Sequence, residues 1–162
     1  MKTFNTLVIF LFLGFSANAQ FQDNHKLVIG GSVQGFTQAD ILAISPRVGK
    51  VLSNGNLAGI TGTYLTTGGE NNSVGVFGWY RIIKELEVRS FPIFYRSDIQ
   101  AGYSDAAFGG GAIISYAPGF TIPLTKKTYL DITLATLQLN YDEELDATIS
   151  INNIGLGLLF GL

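Results

Sequence analysis

From Asp40 to Thr67 the chain holds two alternating segments on either side of an Asn54-Gly55 pair. Asn and Gly tolerate the positive φ angles of a tight turn, so this stretch predicts a β-hairpin. On the first arm Leu42, Ile44, Pro46 and Val48 share one parity, and Ala43, Ser45, Arg47 and Gly49 share the other. One face is therefore wholly apolar, while its opposite carries small residues and a single charge. A soluble sandwich buries its apolar face and sets long polar side chains on the other. A small, Gly-rich second face suits the crowded inside of a narrow barrel whose apolar face meets lipid.

Alternation of this kind accounts for the composition. Apolar residues make up 47% of the chain and glycine fills 20 positions, yet after Phe15 no apolar run approaches the length of about 20 residues that a spanning helix requires. Before that point, Lys2, the apolar run Leu7 to Phe15 and the small residues Ser16-Ala17-Asn18-Ala19 form the pattern of a cleaved secretory signal over residues 1–19. The expected mature chain, 20–162, has a length that suits one domain. It carries nine Lys and Arg (ten less Lys2) against twelve Asp and Glu, a balance that does not point to nucleic acid. The absence of Cys excludes disulfides, thiolate catalysis and thiolate metal sites.

Taken in order, the first strand is expected over Lys26 to Phe36, and the hairpin supplies the second and third. A fourth runs from Ser73 to Ile83, where Phe77 and Trp79 fall on the inner parity; either large rings fill the bore there or a bulge shifts the register. Lys84-Glu85 reads as a tight reversal into a fifth strand, Leu86 to about Gln100, with an irregularity at Phe91-Pro92-Ile93 because Pro cannot donate to a ladder. Ala101 to Phe108 reads as a loop and Gly109 to Leu124 as the sixth strand. A Thr125-Lys126-Lys127 turn precedes the seventh, Thr128 to Tyr141. An acidic loop, Asp142 to Asp146, precedes the eighth, Thr148 to Leu162. The sum is an all-β, eight-stranded antiparallel up-and-down transmembrane β-barrel, an even count that lets the sheet close. A weak internal repeat agrees: Pro46, Val48, Leu52, Ser53 and Leu57 match Pro118, Phe120, Leu124, Thr125 and Tyr129 at an offset of 72, half a barrel.

Alternate connections differ in charge. The odd ones hold Asp40, Glu70, Asp105, Asp142, Glu143, Glu144 and Asp146 without Lys or Arg, while the even ones are short and carry three Lys and one Glu. Long loops outside and short periplasmic turns give an acidic outer rim and a mildly basic inner one.

The Ile44-Ser45-Pro46-x-Val48-Gly49 strand start, its Leu52-Ser53-Asn54-Gly55-Asn56-Leu57 turn and the end Gly157-Leu158-Leu159-Phe160-Gly161-Leu162 resemble the small eight-stranded outer-membrane β-barrel proteins of Gram-negative bacteria, a porin-like family. In that family Gly157, Phe160 and Leu162 correspond to the terminal signal read by the barrel assembly machinery; this chain departs from it in ending on Leu where an aromatic is common. The resemblance implies insertion into outer-membrane lipid by that machinery. It specifies no ligand or activity.

Charges within the strands point to the interior. Arg47, Arg81, Glu87, Arg89, Arg96 and Asp131 are expected to face inward as a polar network, since Arg facing lipid at mid-depth costs about 2 to 4 kcal/mol and eight strands leave room only for side chains. His25 is the only histidine, and with no recognisable partner it does not make a catalytic base. The Gly155 to Gly161 and Gly109 to Gly111 runs lack the helix or the Lys-Ser/Thr of a nucleotide loop. The acidic outer loop offers oxygen ligands for Ca²⁺ or Mg²⁺ but matches no defined binding loop, so the default is a solvated charge run. The expectation is a monomeric, non-enzymatic barrel without cofactor or metal, structural or surface-interacting. The rivals are a secreted soluble barrel with an apolar ligand inside, a narrow channel, and a lipid-modifying barrel enzyme.

Overall fold

The structure, a computed structural model, describes residues 26–36, 41–53, 55–66, 72–88, 91–105, 111–142, 144–150 and 155–162. The first signal-like residues, His25, Asp40, Glu70, Arg89 and Glu143 lie outside them, as does the side chain of Glu87. Ten strands follow one another: β1 (Leu27–Phe36), β2 (Ile41–Val51), β3 (Leu57–Thr66), β4 (Asn72–Val88), β5 (Phe91–Ser104), β6 (Gly111–Pro123), β7 (Thr128–Thr133), β8 (Thr136–Asp142), β9 (Glu144–Ser150) and β10 (Gly155–Gly161). Every pairing is antiparallel. The chain runs neighbour to neighbour from β1 to β6, β7 and β8 lie end to end along β6, and β9 and β10 lie along β8 and β7. Because β10 pairs with β1, from Val28↔Gly161 to Gln34↔Gly155, the sheet closes as an eight-stranded barrel.

Period-two alternation sets the two faces. Val28, Ala43, Leu57, Phe77, Trp79, Ile113 and Tyr129 point inward and are buried, whereas Ile29, Ile44, Val48, Val76, Ile114 and Phe160 stand exposed on the outer wall. Large rings therefore do occupy the bore at Phe77 and Trp79, with no bulge. Trp79 fits because Gly49, at the same level two strands along the wall, leaves space for the ring: a Cβ there would lie 2.4 Å from Trp79 Cζ2. The hairpin turn between β2 and β3 closes on Gly55, whose φ of 78° suits glycine, and Gly55 N–H donates to Leu52 O at 2.9 Å. At the equivalent β6 to β7 turn, Thr125 Oγ1 accepts from the N–H groups of Lys127 and Thr128.

Four boundaries correct the sequence reading. Lys84-Glu85 is not a reversal: both lie in β4, paired with Tyr95 and Phe94. Past Arg81 β4 no longer has β3 beside it, and before Phe94 β5 no longer has β6, so the two continue as a two-stranded ribbon. Both faces of such a ribbon are wet, and polar residues there signal exposure rather than a turn. Pro92 falls second in β5, in this ribbon, where only one side of the strand carries a ladder. At the other end β5 extends to Ser104, so Ala101 to Ser104, the first half of the expected Ala101 to Phe108 loop, is strand. Asp142 likewise ends a strand and Glu144 begins one, so Asp142, Glu144, Leu145 and Asp146 of the expected acidic loop lie in strands.

The seventh barrel strand is also interrupted. Gly119 pairs with Thr133, but Ala117 would face Thr136, leaving Ala135 as an extra residue between β7 and β8. This β-bulge resets parity, so Thr136, Gln138 and Asn140 continue the inward row that Asp131 and Thr133 begin.

Candidate functional site: the charged interior

Three layers fill the barrel. At the end of the short turns Val28, Leu57, Trp79, Phe94, Tyr129 and Leu159 pack as an apolar plug, with Val51 and Ile83 against it. Leu57 and Tyr129, the matched pair of the internal repeat, both sit in this plug. Above it lies a cluster of five charges. Above that, towards the longer connections, is a cavity of about 380 Å³ whose walls mix hydroxyl and amide groups with apolar side chains such as Leu65, Phe77 and Ile113.

The charged layer is built by register. Arg81 on β4 is the direct cross-strand partner of Asp98 on β5, and Thr121 on β6 is that of Asp131 on β7. Arg81, 0% exposed, forks onto Asp98: Nε donates to Oδ1 at 2.6 Å and Nη2 to Oδ2 at 2.8 Å. Such two-point pairing of a guanidinium with a carboxylate is directional and strong. Arg81 Nη1 lies 2.7 Å from Asp131 Oδ2, an ion pair that ties the second carboxylate to the same guanidinium. Arg96 Nη1 donates to Asp98 Oδ2 at 2.6 Å and Nη2 to Thr133 Oγ1 at 2.5 Å, while Thr121 Oγ1 donates to Asp131 Oδ1 at 2.6 Å. Arg47 is held more loosely, 3.4 Å from Asp98 Oδ2 and 3.4 Å from Ser32 Oγ. The Arg47 and Arg81 guanidinium carbons stand 5.7 and 5.8 Å from the Trp79 ring centroid, within cation–π range.

Of the six charges expected inside, the structure brings together Arg47, Arg81, Arg96 and Asp131; Arg89 and the Glu87 side chain lie outside the described residues. Sequence reasoning missed Asp98, the acceptor that all three arginines share. Its signal was present, because Asp98 has the parity of Arg96 and Gln100, but Ser97-Asp98 has the composition of a turn. The terminal residues take different faces: Gly157 is inward and buried, Phe160 stands on the outer wall, and Leu162 N–H donates to Leu27 O at 2.9 Å beside the closing seam.

At the long-connection rim Ser73 Oγ hydrogen-bonds Asp105 Oδ1 and lies 3.1 Å from Ser104 Oγ, and Val74 N–H donates to Asp105 at 3.0 Å. These donors hold the exposed Asp105 carboxyl below the usual aspartate range. On the outer wall Tyr95, Ser97 and Tyr116 join their hydroxyls in a triangle with sides of 3.1 to 3.3 Å. Among the described residues no group of three or more His, Cys, Asp or Glu could hold a metal ion. Both lumenal carboxylates are engaged with guanidinium groups, so the cluster presents ion pairing and hydrogen bonding rather than a nucleophile with its base.

Fold and interior together define a closed antiparallel barrel with charged side chains inside and apolar side chains on its outer wall. No family model matches the chain, and neither a curated protein nor a solved structure matches it.

Proposed function

We propose that this chain is an integral outer-membrane β-barrel with a structural or surface-interaction role and no enzymatic activity. The observation that carries the reading is inverted polarity: Arg81 is 0% exposed while Ile60 and Val76 are 59% and 60% exposed. A wall of this kind is unfavourable in water, where burying apolar area yields about 25 cal/mol per Å², and favourable in hydrocarbon. The soluble-barrel alternative needs the opposite arrangement. Strands β1 to β3, of 10, 11 and 10 residues, have the length of tilted spanning strands. The exposed rings of Tyr64, Tyr103 and Tyr141 near the long connections suit a membrane interface. Hydroxyls facing lipid need partners within the protein, and Tyr95, Ser97 and Tyr116 supply one another.

The apolar plug and the charged layer lie in series across the bore, which favours a filled barrel over a conducting one. Membrane fractionation with protease treatment of whole cells tests the reading. The protein is expected in the outer-membrane fraction, released only by detergent, migrating faster unheated than boiled and cut from outside at the acidic connections. Recovery of folded protein in detergent-free buffer would overturn it.

A further inference from the structure

We propose that the cavity above the charged layer is a binding site for a small organic anion carrying one carboxylate on a neutral, hydroxyl-rich body, with Arg47 as the residue that takes the carboxylate. Three observations carry this. First, charge: the interior cluster contains Arg47, Arg81 and Arg96 against Asp98 and Asp131, one positive charge in excess among the described residues. A buried charge requires a counter-charge or a strong solvation shell, and the surplus falls on the guanidinium with the longest contacts.

Second, position: Arg47 forms the floor of the cavity, its side chain is only 8% exposed, and its Nε has no hydrogen-bond partner in the protein. Gln34 Nε2, also on the cavity wall, is likewise unpartnered. Gln34 stands four residues above the level of Arg47 along the paired strands β1 and β2, so the carboxylate falls to Arg47, whose guanidinium can meet such a group at two points, and Gln34 is left for the body of the ligand. Third, size and lining: about 380 Å³ exceeds the needs of a bare ion and falls within the range of small-molecule sites, roughly 300 to 1,000 Å³. Ser45, Thr63, Gln100 and Gln138 on its walls offer neutral donors and acceptors for hydroxyl groups. One surplus charge matches one carboxylate. The inference rests on the interior alone and does not depend on what surrounds the outer wall.

Trp79 is the only tryptophan in the chain and lies beneath Arg47, so its fluorescence reports on that guanidinium. The purified full chain, folded in detergent micelles, is titrated with D-gluconate at constant ionic strength, and in parallel with sorbitol, its neutral counterpart. The expected result is a saturable change in Trp79 emission with gluconate and none with sorbitol. Arg47→Gln should weaken gluconate binding at least tenfold. Ser115→Phe, which fills the cavity and leaves all five charges in place, should abolish it, and this variant serves if the first does not fold. Absence of saturation by gluconate, an equal response to sorbitol, or unchanged affinity in either folded variant would overturn the proposal.

Discussion

Asp98 accepts from Arg81 at two points and from Arg96 at one, and also faces Arg47, so a single carboxylate holds three strands' worth of positive charge. Its removal leaves guanidinium groups buried without an acceptor, a change that costs about 3 to 5 kcal/mol. Asp98→Ala should therefore lower the unfolding free energy of the barrel, read from its urea curve, by that amount, and by more than Asp131→Ala, whose carboxylate has one close guanidinium at 2.7 Å and a second at 3.8 Å. Gly49→Ala places a methyl group against the Trp79 ring; overpacking of this kind costs about 1 to 3 kcal/mol, readable in the same unfolding curve followed by Trp emission. At the rim, Asp105 has a lowered pKa, so its contribution to stability is present above the unfolded value and fades as pH falls through the folded one. Ser73→Ala removes the first of its donors, and NMR titration should then find the Asp105 midpoint shifted up towards the ordinary aspartate value.

Strand parity was legible throughout, because period two is a local property and the inner face of β2, β4 and β6 could be read residue by residue. Strand ends were less so. Lys84-Glu85 has the polarity of a turn, yet it belongs to a ribbon that outruns the neighbouring strands, and where β3 and β6 stop is decided by pairing across the sheet. The bulge at Ala135 is similarly silent in sequence, since Leu134-Ala135 fits either parity. Its consequence is large: were Ala135 paired as an ordinary strand residue, Thr136, Gln138 and Asn140 would turn to the outer wall and Leu137 and Leu139 to the lumen. Deleting Ala135 leaves a regular strand with the same inward row, so the folded, heat-modifiable band should survive, whereas deleting Leu134 and Ala135 together, which sets Thr136 directly after Thr133 and turns Gln138 and Asn140 outward, should abolish it.

For the molecule as a whole, the outer wall is the property on which the proposed location turns. Ile60 stands outward beside Thr61, the cross-strand partner of Arg47, and so lies level with the charged layer. Ile60→Arg in lipid vesicles should destabilise the barrel by about 2 to 4 kcal/mol, as Arg does near a bilayer midplane. A chain whose wall faced water would tolerate it with little change. Urea unfolding in vesicles measures the difference, and a shift near zero would count against lipid contact.

By itself the sequence determined two faces of opposite character, the small and polar one turned inward, the turns at Asn54-Gly55 and Thr125-Lys126-Lys127, and the inward set of Arg47, Arg81, Arg96 and Asp131. These follow from alternation and turn chemistry, which act over a few neighbouring residues. Only the tertiary structure decided that Asp98 is the shared acceptor, that Arg47 carries the surplus charge beneath a cavity, and that an apolar plug seals the end below. Arg47 and Asp98 are 51 residues apart in the chain, and they meet because strand register and closure of β10 on β1 set which side chains share a level inside the barrel.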